Sequence, residues 1–258
     1  MNKSIVGLLF VLVLCFCYIF VNAQLVNVES KRMQNDTTRF AGAIRASYSY
    51  KQTNDTKLSF VNASLTTQVR SKSLKDVYLF LGSYDLTRSN SDNLSNTGFL
   101  HARYTRKLND SWRIETFAQI QTNEKLLIDK RTLLGIGPRL KLFSKDNLKS
   151  SFGALYMYEI EQTLEEIHQN NLDHRLSSYF TFTYAFPNDN FEINTITYYQ
   201  PVVTNFSDFR ITNQTNLSFQ FIKSLSFEVG INYLFDASPP VGVISNSFAT
   251  KMGVKLVF

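Results

Sequence analysis

The last eleven residues constrain the fold most, because apolar and polar side chains alternate along them. One parity holds Phe248, Met252, Val254, Leu256 and Phe258. The other parity holds Lys251, Gly253 and Lys255. A period of two belongs to a β-strand with one apolar and one polar face. This segment is therefore predicted to be a strand with Phe258 on its apolar face.

The same alternation recurs upstream and predicts twelve strands. They lie near residues 40–50, 57–70, 74–86, 98–108, 112–122, 132–143, 151–161, 172–186, 191–199, 209–221, 225–235 and 248–258. The second strand changes phase, which predicts a bulge. The sixth carries Gly135, Gly137 and Pro138, and a kink or bulge is expected there because proline lacks a ladder donor. Because strands two, three and six are irregular, ten strands remain an alternative.

The connections between these strands alternate in predicted length. The longer ones cover residues 85–97, 123–131, 162–171, 200–208 and 236–247. Short periplasmic turns alternating with longer extracellular loops are typical of outer-membrane barrels.

A soluble barrel is the main alternative fold, because the pattern alone does not say which face points outward. Three features favour lipid outside. The strands reach about ten residues, enough to cross a bilayer at a tilt. Aromatic residues such as Trp112, Tyr199 and Phe235 lie near strand ends. The polar face carries Arg, Glu, Asp and Lys, which a dry core does not accommodate. We therefore predict an all-β fold, a single antiparallel transmembrane β-barrel over residues 40–258.

The amino-terminal segment resembles a secretory signal peptide. Lys3 precedes an apolar run over residues 5–21, and Ala23 supplies the small residue before cleavage. We expect residues 1–23 to be removed and residues 24–39 to form a flexible periplasmic lead. A membrane-anchoring helix is the alternative, although the run is at the short limit for spanning. These features predict a Gram-negative outer-membrane protein.

The net charge and the cysteine content limit which partners and which disulfides are expected. The net charge of +6 falls to +5 without Lys3, and no dense Lys/Arg run predicts nucleic-acid binding. Both cysteines, Cys15 and Cys17, lie in the predicted signal, so disulfides are not expected in the mature chain. The expected partners are outer-membrane lipid, the barrel assembly machinery through the strand ending at Phe258, and a small solute or ion.

Several segments in the last third of the chain resemble a known family. They are His-Arg-Leu-Ser-Ser-Tyr at 174–179, Tyr-Tyr-Gln-Pro at 198–201, Ser-Asp-Phe-Arg-Ile at 207–211 and Phe-Asp-Ala-Ser-Pro-Pro-Val-Gly-Val at 235–243. The chain resembles the YdiY-like family of salt- or acid-induced outer-membrane proteins, a domain of unknown function. The resemblance implies a barrel in the outer membrane and supplies no catalytic residues.

The candidate site is a polar network on the predicted inner face of the barrel. Its members are Arg45, His101, Arg103, Arg113, Glu115, Glu159, Asp173, Arg175, Asp208, Arg210 and Glu228. Glu159 and Glu161 share a face and are expected to pair with Arg175 or Arg210. Such a network either orders the loops at the barrel rim or lines a constricted lumen.

No catalytic, cofactor or metal site is predicted. His101 is the best candidate base, but no serine lies near it in a nucleophile context, and His168 follows Glu165 at a spacing that fits no zinc ligand set. A narrow pore or stress-adaptive envelope protein is the leading interpretation. A binding or adhesion module acting through loops 85–97 and 236–247 is the alternative, and a barrel hydrolase is less favoured.

Overall fold

Twelve strands form one antiparallel sheet whose order follows the chain. The structure is a computed structural model that describes residues 39–256 apart from 91, 165–169, 188–189, 223–224 and 241. The strands are β1 (Phe40–Thr53), β2 (Thr56–Arg70), β3 (Asp76–Ser89), β4 (Asp92–Lys107), β5 (Trp112–Asn123), β6 (Ile128–Ser144), β7 (Leu148–Thr163), β8 (Asn170–Phe186), β9 (Phe191–Val202), β10 (Asn205–Ile222), β11 (Leu225–Asp236) and β12 (Asn246–Leu256). The predicted signal peptide, the lead up to residue 38, His168, Val241 and Phe258 lie outside the described residues.

All twelve predicted strands are present, so the alternative of ten strands is wrong. The bulge expected in the second strand is also wrong. β2 pairs with β1 and with β3 without a register shift, and its phase changes because Leu58 and Phe60 lie on the inner parity. Pro138 lies opposite Ile114 of β5, but Gly137 and Pro138 have no partner in β7, so the ladder is interrupted on that side where an irregularity is expected. Register shifts between β6 and β7 lie at Ile128/Lys130 and Lys141/Phe143.

Two predicted loops are paired strand. β3 and β4 remain paired from Asp85↔Thr97 to Ser89↔Asp92, with one register shift between Thr87 and Arg88, although the sequence predicts a loop over residues 85–97. β9 ends at Val202 and β10 begins at Asn205, within the expected loop 200–208. The ladder uses backbone groups, so polar residues extend it as well as apolar ones. The connection over residues 237–245 lies within the predicted loop 236–247 and is three residues shorter.

The apolar side chains of the sheet point outward. Ile44, Leu100 and Met252 are 80%, 64% and 62% exposed, whereas Arg103, Glu115 and Arg175 on the opposite parity are buried. Residues from β4 to β12 line one interior cavity, and hydrogen bonds join β5 to β8 and β7 to β10. The sheet therefore curls into a β-barrel with a charged interior and an apolar exterior, the arrangement of a transmembrane barrel.

None of the helical segments in the described part of the chain is long and apolar enough to cross a membrane. One turn of 3-10 helix, Glu124–Leu126, connects β5 to β6, and the Leu126 backbone N–H donates to the Asn123 side chain at 3.2 Å.

Candidate functional site

An arginine–carboxylate network occupies the interior near one end of the barrel. It comprises Arg131, Arg175, Arg210, Glu159, Glu161, Asp173, Asp208 and Asp236. Glu159 is its centre, because a guanidinium from each of three strands points at its carboxylate. The Arg210, Arg175 and Arg131 nitrogens lie 2.7, 3.4 and 3.7 Å from its oxygens. Only 1% of Glu159 is exposed.

The same arginines extend the network to the rim. Arg210 Nε donates to Asp236 at 2.8 Å, and the two terminal nitrogens of Arg175 reach Asp208 and Asp173, both at 3.1 Å. Arg131 pairs with Glu161. Buried charges are costly unless they are paired, so each member depends on the others.

A second group, the Glu115 cluster, lies deeper along the same wall. Glu115 is fully buried, and its carboxylate accepts hydrogen bonds from Tyr179 at 2.6 Å, Thr105 at 3.2 Å and Arg103 at 3.3 Å. Arg139 adds a fourth contact at 3.4 Å. Since Tyr179 belongs to β8 and Glu115 to β5, this cluster ties the two strands together across the interior.

Two glycines make room for the rings beside this cluster. A Cβ built on Gly153 would lie 2.3 Å from the Tyr179 ring, and one on Gly135 would lie 2.2 Å from the Phe117 ring. The conformational freedom of glycine is not needed here, but the absence of a side chain is. Gly153 therefore permits Tyr179 to reach Glu115.

Apolar side chains fill the space between the two charged groups. The buried residues are Phe117, Leu133, Leu155, Met157, Tyr179 and Ile196. Along β7, Leu155 and Met157 separate Gly153, at the level of the Glu115 cluster, from Glu159 in the network. The part of the interior lined by β4 to β9 is therefore packed, and an apolar layer separates the arginine–carboxylate network from the Glu115 cluster.

Inner-parity side chains are exposed on β11, β12 and β1; β1 and β12 are the two edge strands of the sheet, and no pairing joins them among the described residues. Ser47, Ser49 and Lys51 of β1 and Lys251 of β12 lie on the inner parity and are exposed. A Cβ on the inward-facing Gly253 would meet no atom within 4 Å. We call this surface the polar wall. A cavity of about 110 Å³ is lined by Arg131 and Arg210 and by Asn232, Leu234 and Ala249 of β11 and β12.

The predicted site residues separate into these regions. Glu159, Asp173, Arg175, Asp208 and Arg210 form the network, and Arg103 and Glu115 belong to the Glu115 cluster. Arg45 and Glu228 lie on the polar wall and are exposed. Arg113 lies at the start of β5, near the turn that carries Asp110. The Lys107 ammonium holds the pKa of Asp110 below its ordinary value, with smaller contributions from Lys141 and Arg113.

The His101 side chain is buried among the packed side chains of the interior. Its Nδ1 lies 3.0 Å from Gln119 Oε1, and Arg103 Nε donates to its Nε2 at 3.3 Å. Since Nε2 accepts, the proton belongs on Nδ1, which donates to Gln119. The imidazole stacks on Phe99 and Phe117 with centroid distances of 6.0 and 5.4 Å. This arrangement orients the ring as part of the lining.

Sequence reasoning missed Arg131, Asp236, Arg139 and Tyr179. The first two lie within the predicted loops 123–131 and 236–247, although Arg131 shares its parity with Leu133 and β6 continues through it. The inward parity of Tyr179, shared with Arg175, was the available signal. Its partner Glu115 lies 64 residues away in the chain, so their pairing depends on the curvature of the sheet.

Replacing Tyr179 with phenylalanine removes one donor from a buried carboxylate. We expect the free energy of unfolding to fall by about 1–3 kcal/mol, the cost of leaving a buried polar group short of a partner. Urea unfolding in lipid vesicles measures it. Tyr199→Phe, an exposed tyrosine of β9, serves as the control, and an equal loss in both variants would contradict the role of the Tyr179 hydroxyl.

Among the residues that the structure describes, no three His, Cys, Asp or Glu side chains are grouped so as to hold a metal ion. Fold and interior together define a twelve-stranded transmembrane β-barrel whose interior holds buried, paired charges. The chain belongs to the family of proteins of unknown function DUF481, whose family model matches residues 44–258.

The chain is also similar to several solved barrels. The NanC porin is 13% identical, with a TM-score of 0.48, over 85% of this chain and 98% of the porin. The KdgM porin in complex with disordered oligogalacturonate is 15% identical, with a TM-score of 0.40, over 85% and 99%. The translocator domain of autotransporter NalP from Neisseria meningitidis is 8% identical, with a TM-score of 0.40, over 85% and 87%. No curated protein matches the chain. The barrel assignment rests on the strand pairing and not on these similarities.

Proposed function

We propose that this protein is an outer-membrane β-barrel that passes ions or small polar solutes along its polar wall. The observation that carries the proposal is the asymmetry of the interior. Paired charges and apolar side chains pack the part facing β4 to β9, whereas small or solvated residues line β11, β12 and β1. A packed part that narrows the lumen and an open part that hydrates it together describe a narrow passage.

The charges on the polar wall favour anions. Arg45, Lys51 and Lys251 lie on the inner parity there, against Glu228. Rings or rows of basic side chains in a pore lower the energy of a passing anion. The arginines of the network contribute little, because carboxylates already neutralise them.

Planar-bilayer recording of the refolded mature chain tests the passage. We expect stable unitary currents, and we expect Gly253→Phe to reduce them by filling the open space beside β12. Met252→Phe is the matched control, since the neighbouring residue faces outward and its substitution leaves the current unchanged. The absence of unitary currents from correctly folded, heat-modifiable protein would contradict the proposal.

Charge reversal tests the selectivity separately. Arg45→Glu combined with Lys251→Glu is expected to move the reversal potential in a salt gradient from the anion side towards the cation side. Arg106→Glu is the control, because Arg106 is exposed on the outward parity of β4, where it pairs with Asp76 at 3.2 Å. An identical shift in both variants would show that the polar wall does not set the selectivity.

The alternative of loop-mediated binding rests on one connection. Residues 85–97 are paired strand, which leaves residues 237–245, where Ile244 is 70% exposed. The resemblance to the YdiY-like family favours a role in salt or acid stress, and a pore of this kind is compatible with it. Growth of a deletion strain under acid or high salt tests that role.

A further inference from the structure

Four polar side chains lie on the outward face of β9 and β10. They are Thr195, Thr197, Asn213 and Thr215, here called the Thr/Asn patch. In β9 the two threonines share their parity with Ile193 and Tyr199, and in β10 Asn213 and Thr215 share theirs with Ile211 and Leu217. The register pairs Thr195 with Thr215 and Thr197 with Asn213, so the four side chains adjoin one another.

The patch lies midway between two groups of aromatic rings. Tyr199, Phe209 and Phe235 form one group, in which the Phe209 centroid lies 5.6 Å from each of the other two. Phe186, Phe191 and Phe219 form the other, at 5.2 and 4.3 Å. Aromatic groups mark the two membrane interfaces. From Phe209 to Phe219 the strand covers about 33 Å, or about 25 Å of membrane thickness at the usual tilt, which is the height of the apolar band of a barrel.

The patch is hydrogen-bonded within itself, but it keeps capacity for a partner. Thr195 Oγ1 lies 2.8 Å from Thr215 Oγ1, and Asn213 Nδ2 donates to Thr197 Oγ1 at 2.9 Å. Thr215 Oγ1 lies 3.1 Å from Asn213 Oδ1. Each hydroxyl and carbonyl oxygen has more than one lone pair, so acceptor sites remain. Polar groups at the bilayer centre are costly towards lipid and are typical of contacts between membrane segments.

We propose that the Thr/Asn patch is the contact between two copies of this chain in the membrane. Every copy crosses the bilayer in the same direction, so the patch lies at the same depth in each. A two-fold axis along the membrane normal brings such a patch against itself. The Asn213 amide and the Thr215 hydroxyl already donate within the patch, whereas no hydrogen bond within it uses the Thr197 hydroxyl proton. That proton can be donated to an oxygen of the second copy's patch, and the two-fold axis repeats the contact in reverse, which makes the patch self-complementary. The aromatic groups above and below would add apolar packing area at both interfaces.

The oligomeric state of the full-length barrel in lipid nanodiscs or vesicles tests the contact. In single-molecule photobleaching, we expect each wild-type particle to contain two copies of the chain. Asn213→Leu combined with Thr215→Val is expected to raise the dimer dissociation constant about tenfold, from two lost polar contacts. Thr116→Val is the control, because Thr116 is a partly exposed outward residue of β5 on another wall. Heat modifiability confirms that each variant is folded.

Cysteine cross-linking locates the interface independently, since the mature chain is expected to lack cysteine. Ile231→Cys lies outward on β11, beside Thr215, and leaves the patch intact. A short bismaleimide is expected to cross-link this variant into dimers and to leave Ala118→Cys, outward on β5, monomeric. Wild-type protein that is monomeric in bilayers, or equal cross-linking of both variants, would overturn the proposal.

Discussion

Replacing Arg210 with methionine is expected to lower the free energy of unfolding by about 3–5 kcal/mol, the cost of removing one partner from a buried ion pair. Arg210 contacts Glu159 at 2.7 Å, Asp236 at 2.8 Å and Glu161 at 3.5 Å. Without its guanidinium, the two buried glutamates keep only Arg131 and Arg175 as partners. Methionine retains most of the volume, so the loss reflects charge and not a cavity.

Urea unfolding in vesicles measures this change, and the fluorescence of Trp112, the single tryptophan, is a convenient probe. Arg106→Met is the control, because its pair with Asp76 is solvent-exposed and such pairs contribute about 0–1 kcal/mol. If both variants lost the same small amount, the network would not stabilise the barrel.

The second large effect is expected from Gly153→Val. The added Cβ would lie 2.3 Å from the Tyr179 ring, so the ring must move away from Glu115. Overpacking of this kind costs about 1–3 kcal/mol, and the lost donor to Glu115 adds about 1–3 kcal/mol more. Equilibrium unfolding under the same conditions measures the sum.

Gly253→Val separates this effect from the general consequences of changing a strand glycine. Gly253 also faces inward, but a Cβ there meets open space, so its stability should remain within about 0.5 kcal/mol of wild type. Combining Gly153→Val with Tyr179→Ala should cost less than the two single losses added together, because the ring that clashes is gone. Additive losses would place the strain somewhere other than the Tyr179 ring.

The alternation of apolar and polar residues was enough to predict the strands, because successive residues of a barrel strand face the lipid and the polar interior in turn. It located the strand starting at Trp112 and the inward parity of Glu115 and Arg103. It failed at residues 85–97 and 200–208, where no apolar face requires alternation once the strand extends past the apolar band. There the backbone continues to pair, and composition no longer distinguishes strand from loop.

Which side chains face the interior can be predicted from the sequence better than which of them contact one another. Tyr78, Leu79, Phe80 and Leu81 are apolar on both faces, which obscured the strand; in the structure Leu79 and Leu81 pack inward on Phe99. The partners of Glu159 come from β6, β8 and β10. Which of those side chains meet depends on strand stagger and curvature, which a single sequence does not specify.

The most direct test of a half-packed lumen is the accessibility of single cysteines to a membrane-impermeant, water-soluble thiol reagent. Ser49→Cys and Lys251→Cys on the polar wall should react rapidly in the folded barrel in vesicles. Leu79→Cys and Leu155→Cys, buried on β3 and β7, should react only after unfolding. Rapid labelling of all four positions would show a wide-open pore. Protection of all four would show a fully packed barrel, and either result would contradict a passage confined to β11, β12 and β1.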